Sequence, residues 1–488
     1  MKGILSAIIF IPLIGSIILA FIPKKKDMLI KRTALLFSVI PFVLSLLLYI
    51  HYDPTGSRIQ FVEKLTWIKQ LGMQYYLGVD GLSIPLVILS TLIMAISILY
   101  SFVVSKRTKE YFILMLAMGS AMVGVFMALD YILFYIFWEV GLIPMYFLIG
   151  IWGGHRREYA AIKFFLYTFF GSVFMLLGIL GLYFYAPAAE RTFDMIILAQ
   201  NSYPINIQIW IFLGIFFSLA IKLPSFPFHT WLPDAHVEAP TAASVILAAV
   251  LLKMGGYGFA RILMPSVPDA FEIFVPMMAI LGAISIIYGA YLAMAQDDLK
   301  KMVAYSSISH MGFVTLGFAT LNTFGVQGAI FQMISHGLIT GLMFIVVGMI
   351  HDRYHTRKIS ELDDLMNHAP ALSSVVIFTT MASLGMPALS GFIGEFLTII
   401  GVLETIGWFY GIIMAVGIVL TAGYFIYMLG RVFLKARRKE KVTGVKVVDL
   451  SVRDMVIAFP MVALILLFGV YPKPVLDLAQ LVIYTMIK

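Results

Sequence analysis

The stretch IKLPSFPFHTWLPDAHVEAPTAASVILAAVLLKMGGYGFAR, residues 221–261, contains two lysines, Lys222 and Lys253, each inside a run too apolar for a solvated charge. Pro224 and Pro227 follow Lys222 at once; each removes a backbone donor and clashes with the carbonyl four residues earlier, so a helix reaching Lys222 breaks there. The stretch 229–241 carries no Lys or Arg, and 241–260 is again long enough to cross the ~30 Å hydrocarbon core. A helix that breaks beside a charge and a second charged helix after it belong to a membrane body, where freed backbone groups are tolerated around a polar cavity.

The same apolar runs recur along the whole chain. Of 488 residues, 61% are hydrophobic and 12% charged, about half the ~25% charged share of a soluble domain. Fourteen spans are expected, at about 3–22, 31–50, 81–104, 111–128, 131–151, 161–185, 209–229, 241–260, 272–294, 302–320, 325–350, 372–399, 406–430 and 453–471. The fold class is therefore an all-α polytopic membrane protein, since no ~10-residue segments of alternating polarity point to a β-barrel. Residues 1–488 form a single transmembrane domain, because the gaps 51–80 and 186–208 are too short to bury a core of their own.

Charge placement supports this count. With the N-terminus outside, the cytoplasmic gaps hold 23 Lys and Arg, against 8 on the outer side. That excess places both termini outside; the setting expected is a bacterial plasma (inner) membrane. The first span resembles a signal peptide after Lys2 but lacks a small-residue cleavage site and ends in Lys24, Lys25 and Lys26, so it reads as a retained helix. KKKDMLIKR and KARRKEK read as topology signals rather than docking sites, and the tail after Pro472 is expected at the outer surface. A net charge of +8 spread over such gaps does not suggest nucleic acid. Without cysteine the chain cannot hold a thiolate-ligated cluster, so redox chemistry belongs to partners.

Ionisable groups inside apolar spans cost at least ~2.5–3.5 kcal/mol each and mark ion pathways. Six stand out: Glu139 in the fifth span, Lys222 in the seventh, Lys253 in the eighth, His310 in the tenth, His336 in the eleventh and Glu395 in the twelfth. Each can take or give a proton, as a path across a low-dielectric layer requires. A buried structural ion pair is the other reading of any single acid or lysine, and a hydrogen-bonded core histidine that of each histidine. Gln332, His336 and Thr340 share one helical face at i, i+4 and i+8, and Ser306 and His310 another. The twelfth span is broken as well, by Pro387, Gly391 and Gly394 before Glu395, so broken helices 7 and 12 occupy corresponding places in two expected inverted five-helix repeats, helices 4–8 and 9–13. Lys163 is close enough to its helix end to snorkel to the interface. Asp80 is expected to cap the third span or to meet an incoming lysine. His229, Asp234, His236 and Glu238 carry ligand-type side chains, but their spacing matches no zinc pattern, and no metal is expected.

The segments FWEVGLIPMYFLIGIWGG (137–154), 221–261, AYSSISHMGF (304–313) and SGFIGEF (390–396) together resemble the antiporter-like M subunits (subunit 4 type) of proton-pumping NADH-quinone oxidoreductase, respiratory complex I. The resemblance implies a repeat at 111–260 and another at 272–434, preceded by helices 1–3 in 1–110 and followed by a last helix and outer tail in 453–488. It implies that Glu139 pairs with Lys222, that Lys253 is the central lysine, that His310 and His336 connect the halves, and that Glu395 is the outlet acid. Flavin, iron–sulfur clusters and quinone would reside in partner subunits, with no cofactor in this chain. The neighbours implied are L- and N-type antiporter-like subunits, small membrane subunits and lipid. Sister subunits and the sodium/proton antiporter relatives usually carry lysine at the position of Glu395, and an L-type chain continues into a long lateral helix, so both features favour the M type. A multi-protein Na+/H+ antiporter, a membrane-bound hydrogenase and a ferredoxin-linked complex I relative remain open as alternatives.

Overall fold

The computed structural model describes residues 3–187, 191–362, 365–433 and 448–483; Lys2, the KARRKEK run at 435–441 and Lys488 lie outside them. The described chain is a bundle of helices. Those of at least eight residues are, in chain order, α1 (Ile4–Phe21), α2 (Asp27–Ile50), α3 (Ser83–Tyr100), α4 (Thr108–Met127), α5 (Tyr131–Val140), α6 (Leu142–Trp152), α7 (Arg157–Tyr185), α8 (Ile205–Lys222) and α9 (Trp231–Glu238). There follow α10 (Thr241–Ser266, with two π turns), α11 (Val275–Met294), α12 (Leu299–Ala319), α13 (Thr323–Tyr354), α14 (Pro370–Ser383), α15 (Ser390–Thr405), α16 (Trp408–Phe433), α17 (Val452–Val470) and α18 (Lys473–Ile483).

Among the described residues, twelve helical stretches are long and apolar enough to cross a membrane. The other two expected spans appear as α12, which is more polar, and as α14 and α15, which flank a break. Of the twelve stretches, α10 over 242–264 and α13 over 328–350 are buried residue by residue and lie at the centre of the bundle.

Small residues set how closely the helices approach. Gly282 and Gly312 face each other's carbonyls across α11 and α12, and a Cβ added to Gly312 would stand 2.7 Å from the Gly282 oxygen. Between α7 and α8, a Cβ added to Gly214 would stand 2.8 Å from the Phe174 carbonyl oxygen. Without a hydrophobic drive between helices in lipid, this close contact is what favours their association.

One departure from the all-helical expectation lies in the gap 51–80. Gln60–Ile68 (β1) and Met73–Val79 (β2) form an antiparallel hairpin. Their aromatic and β-branched residues favour strand once a partner is supplied. Two acids help pin the hairpin: Glu63 accepts from the Leu5 and Ser6 amides at the start of α1, and Asp130 accepts from the Gln74 amide. Asp130 also caps α5, its other oxygen taking the Ile132 and Leu133 amides at 2.9 and 3.1 Å. Asp130→Ala is accordingly expected to destabilise by about 1–2 kcal/mol, read as a lower unfolding temperature of the subunit in its membrane complex; no shift would mean the cap is dispensable.

Candidate functional site

The seventh span breaks where the prolines require. α8 ends at Lys222, and carbonyls of its last turn, freed by the break, are taken up locally: Ser225 N–H donates to Ala220 O, and the Trp231 indole donates to Ile221 O at 3.0 Å. Gly255 of α10 packs on this break, where an added Cβ would lie 2.8 Å from the Leu223 nitrogen. Lys222 thus ends at the hinge, 1% exposed. No protein group among the described residues lies within hydrogen-bond reach of its Nζ, which stands 5.0 Å from the ring centroid of Trp138. Glu139, next to Trp138 on α5, is only half-buried, and its Oε1 is likewise without a hydrogen-bond partner. The two groups are near each other but not joined.

Lys253 lies on α10 between the two π turns, fully buried. Its side chain runs back towards the helix N-terminus, as helical side chains do, and donates to the Ala248 carbonyl of the first π turn at 2.6 Å. The same Nζ meets His336 Nδ1 on α13, also at 2.6 Å. When Lys253 carries its charge the ammonium only donates, so Nδ1 then accepts and the ring proton sits on Nε2. The His336 and His310 rings stand 5.4 Å apart, centroid to centroid, at 62°. His310 Nδ1 is 3.0 Å from Glu395 Oε1, and its Nε2 faces the Ser383 hydroxyl at 3.5 Å.

Glu395 owes its position to the second break. α14 ends at Ser383; Gly385 takes the left-handed conformation (φ 73°) that an L side chain rarely adopts, and α15 restarts at Ser390. Gly391 and Gly394 let α15 lie directly on its neighbours: Cβ atoms there would fall 2.2 Å from the Ala382 carbonyl and 2.8 Å from the Gln332 Cα. Gln332 Nε2 in turn reaches Glu395 Oε1 at 3.4 Å. The face Gln332, His336 and Thr340 read from the sequence lines one small void with His310 and Glu395.

Of the six residues singled out, the structure therefore joins four in one line of contacts, Lys253, His336, His310 and Glu395, and sets Glu139 and Lys222 apart as a second cluster. Several other expectations change. Asp80 meets an arginine rather than a lysine: its Oδ1 accepts from Arg261 at 2.5 Å as well as from the Leu82 and Ser83 amides. Burial pushes the Asp80 carboxyl up, but the Arg261 guanidinium, helped by Arg58 and the Ser83 amide, outweighs it and holds the group below its usual value. Two basic residues tallied between the spans, Arg261 and Lys300, are buried instead, and the Lys300 ammonium donates to the Ala239 carbonyl. Lys163 pairs with Asp234 at 2.7 Å rather than simply snorkelling. The four ligand-type residues of 229–238 go separate ways: Asp234 to Lys163, Glu238 to the Arg156 amide, His236 stacked on Phe344, and His229 against Phe226 and Tyr288. Trp138 escaped the sequence reading altogether, because its ring is an ordinary apolar residue until Lys222 is placed over it.

The family described as NADH:quinone oxidoreductase/Mrp antiporter, TM, matches residues 128–421, a stretch that holds all six residues. The chain is 45% identical to NADH-quinone oxidoreductase subunit M of Rhodobacter capsulatus, over 98% of this chain and 95% of that one. It is 38% identical to NAD(P)H-quinone oxidoreductase chain 4 2 of Thermosynechococcus vestitus, over 96% and 89%. Among solved structures, a chain of respiratory complex I from Thermus thermophilus aligns with a TM-score of 0.89 at 28% identity, covering 99% of both chains. The Mrp complex of Dietzia aligns with a TM-score of 0.87 at 17% identity, covering 100% of this chain and 98% of that one, a likeness of fold alone.

Proposed function

Because the chain belongs to the NADH:quinone oxidoreductase/Mrp antiporter family of membrane subunits, we propose that it is an M-type subunit of a proton-translocating NADH-quinone oxidoreductase, carrying protons while its partners carry electrons. Flavin, iron–sulfur clusters and quinone belong to those partners, and the redox activity is that of the complex. Its setting is a bacterial plasma membrane with both termini outside, beside L- and N-type subunits, small membrane subunits and lipid. The 111–260 and 272–434 segments are its two antiporter-like repeats.

The observation that carries the reading is the contact line Lys253, His336, His310, Glu395, which runs through the buried centre from one broken-helix repeat to the other. A charge anywhere on this line is costly unless its neighbours share it, so a proton moves along it more readily than it rests there. Lys222 receives a proton from the cytoplasmic side and passes it to Lys253 when Glu139 moves relative to it. His336 and His310 carry it on, with a ring rotation or one water closing the step between their rings, and Glu395 releases it outside. Glu139 is placed for control by a neighbour, since it is half-buried next to the exposed Val140 and Ile143.

Two experiments test this. Gentle extraction from native membranes followed by mass spectrometry is expected to recover flavin and iron–sulfur subunits; small membrane partners alone would replace the reading with the antiporter, and a nickel subunit with the hydrogenase. In the assembled complex in sealed vesicles, Glu139→Gln is expected to lower NADH-driven proton uptake about tenfold or more, the scale of losing a positioned proton-transfer control. Near-normal uptake would remove Glu139 from the mechanism.

A further inference from the structure

The Lys222 ammonium is enclosed, and no protein acceptor among the described residues is within hydrogen-bond reach of it. A buried cation left alone is costly, so whatever it does touch matters. The indole of Trp138 is the described group that meets it, 5.0 Å from Nζ to centroid, inside the ~6 Å at which a ring face attracts a cation. The attraction is strongest for tryptophan and rises when water is excluded, as it is around two side chains that are each 1% exposed.

The indole is also held in place. Phe134, one turn earlier on α5, packs on it with centroids 5.5 Å apart; Phe134 stacks on Tyr257 of α10 at 6.5 Å and 21°, and Tyr257 meets Phe126 of α4 edge to face at 5.2 Å. This ladder ties α4, α5 and α10 together and limits how far the ring can turn. Trp138 and Glu139 are successive residues on one helix, about 100° apart around its axis. Lys222, at the hinge end of α8, is therefore offered two different seats by one short segment: a carboxylate and a ring face.

We infer that Trp138 is a positioning residue, and that its ring face is the second seat of the Lys222 ammonium, occupied while Glu139 is disengaged. This rests on the proton-carrying reading of Glu139 and Lys222. With one seat, opening the pair leaves a bare cation in a dry site. With two, the lysine moves between partners, and the charge separation that Glu139 controls becomes a passable state in the cycle.

The test uses the assembled complex in sealed vesicles, with electron transfer to an artificial acceptor as the measure of intact assembly. Trp138→Leu is expected to lower NADH-driven proton uptake about tenfold and Trp138→Phe about threefold, the spread expected for losing or weakening a desolvated cation–ring contact. Site-specific fluorotryptophans at 138 then drain the ring face of negative charge while keeping its shape. Uptake is expected to fall stepwise with each added fluorine, a trend that a packing role does not produce. A flat fluorotryptophan series overturns the inference even if Trp138→Leu fails to assemble, and so does wild-type uptake in Trp138→Leu. Glu139→Gln measured alongside separates the two levels: normal uptake there removes the functional reading and this inference with it, whereas loss of uptake there with a flat series removes Trp138 alone.

Discussion

Lys253→Ala is expected to reduce NADH-driven proton uptake of the assembled complex by about tenfold or more, on the scale of losing a group that transfers a proton in the rate-limiting step. Lys253 Nζ is the described group that contacts His336 Nδ1 from α10, so its removal breaks the contact line at that link. Folding is expected to survive, because trading a buried ammonium for an apolar side chain relieves desolvation, and the Ala248 carbonyl it leaves belongs to a π turn of an otherwise intact helix. Complex content in the membrane and electron transfer to an artificial acceptor should stay near wild type. Lys253→Arg is expected to pump poorly too, since a guanidinium keeps its proton. Wild-type uptake in the alanine variant would show that protons bypass Lys253.

Arg261→Met acts the other way, on folding rather than on transport. Arg261 Nη2 binds Asp80 Oδ1 at 2.5 Å and the Ser83 hydroxyl at 3.2 Å, while its Nε donates to the Tyr257 hydroxyl, which itself donates to the Phe126 carbonyl. The cluster ties α3, α4 and α10 together. Removing the arginine leaves Asp80 fully buried without its hydrogen-bonded ion partner, Arg58 acting only at longer range, a change that costs about 3–5 kcal/mol. Low abundance and early thermal unfolding of the subunit are the expected readouts. Asp80→Asn combined with Arg261→Met should recover most of the loss, because the orphaned charge and not the missing bond dominates the penalty. A single variant as stable as wild type would mean that Asp80 finds another partner.

These two residues also show where reading along the chain stops. Asp80 and Arg261 were visible as an acid at a helix mouth and a base on the outer side, but they lie 181 positions apart, and neither hydropathy nor helical period relates them. The hairpin 60–79 was passed over for a similar reason: its strands satisfy each other's backbone groups only once paired, and apolar run length does not register pairing.

What the sequence determined by itself is the set of spans, the two breaks and the charges inside the spans. Run length against bilayer thickness, proline's missing donor and the cost of a charge in hydrocarbon are local properties, and each is written in a few consecutive residues. Lys222, Lys253, Glu139 and Glu395 were found that way. The tertiary structure decided which of these groups touch. It joined Lys253 to His336 and His310 to Glu395, left Glu139 and Lys222 apart, and set Lys222 over Trp138. Those outcomes depend on how each helix is rotated about its axis and on how near its glycines let its neighbours come, as at Gly255 against the first break and Gly394 against Gln332. Contact between helices far apart in the chain is a property of their packing, and it exists only once the bundle is closed.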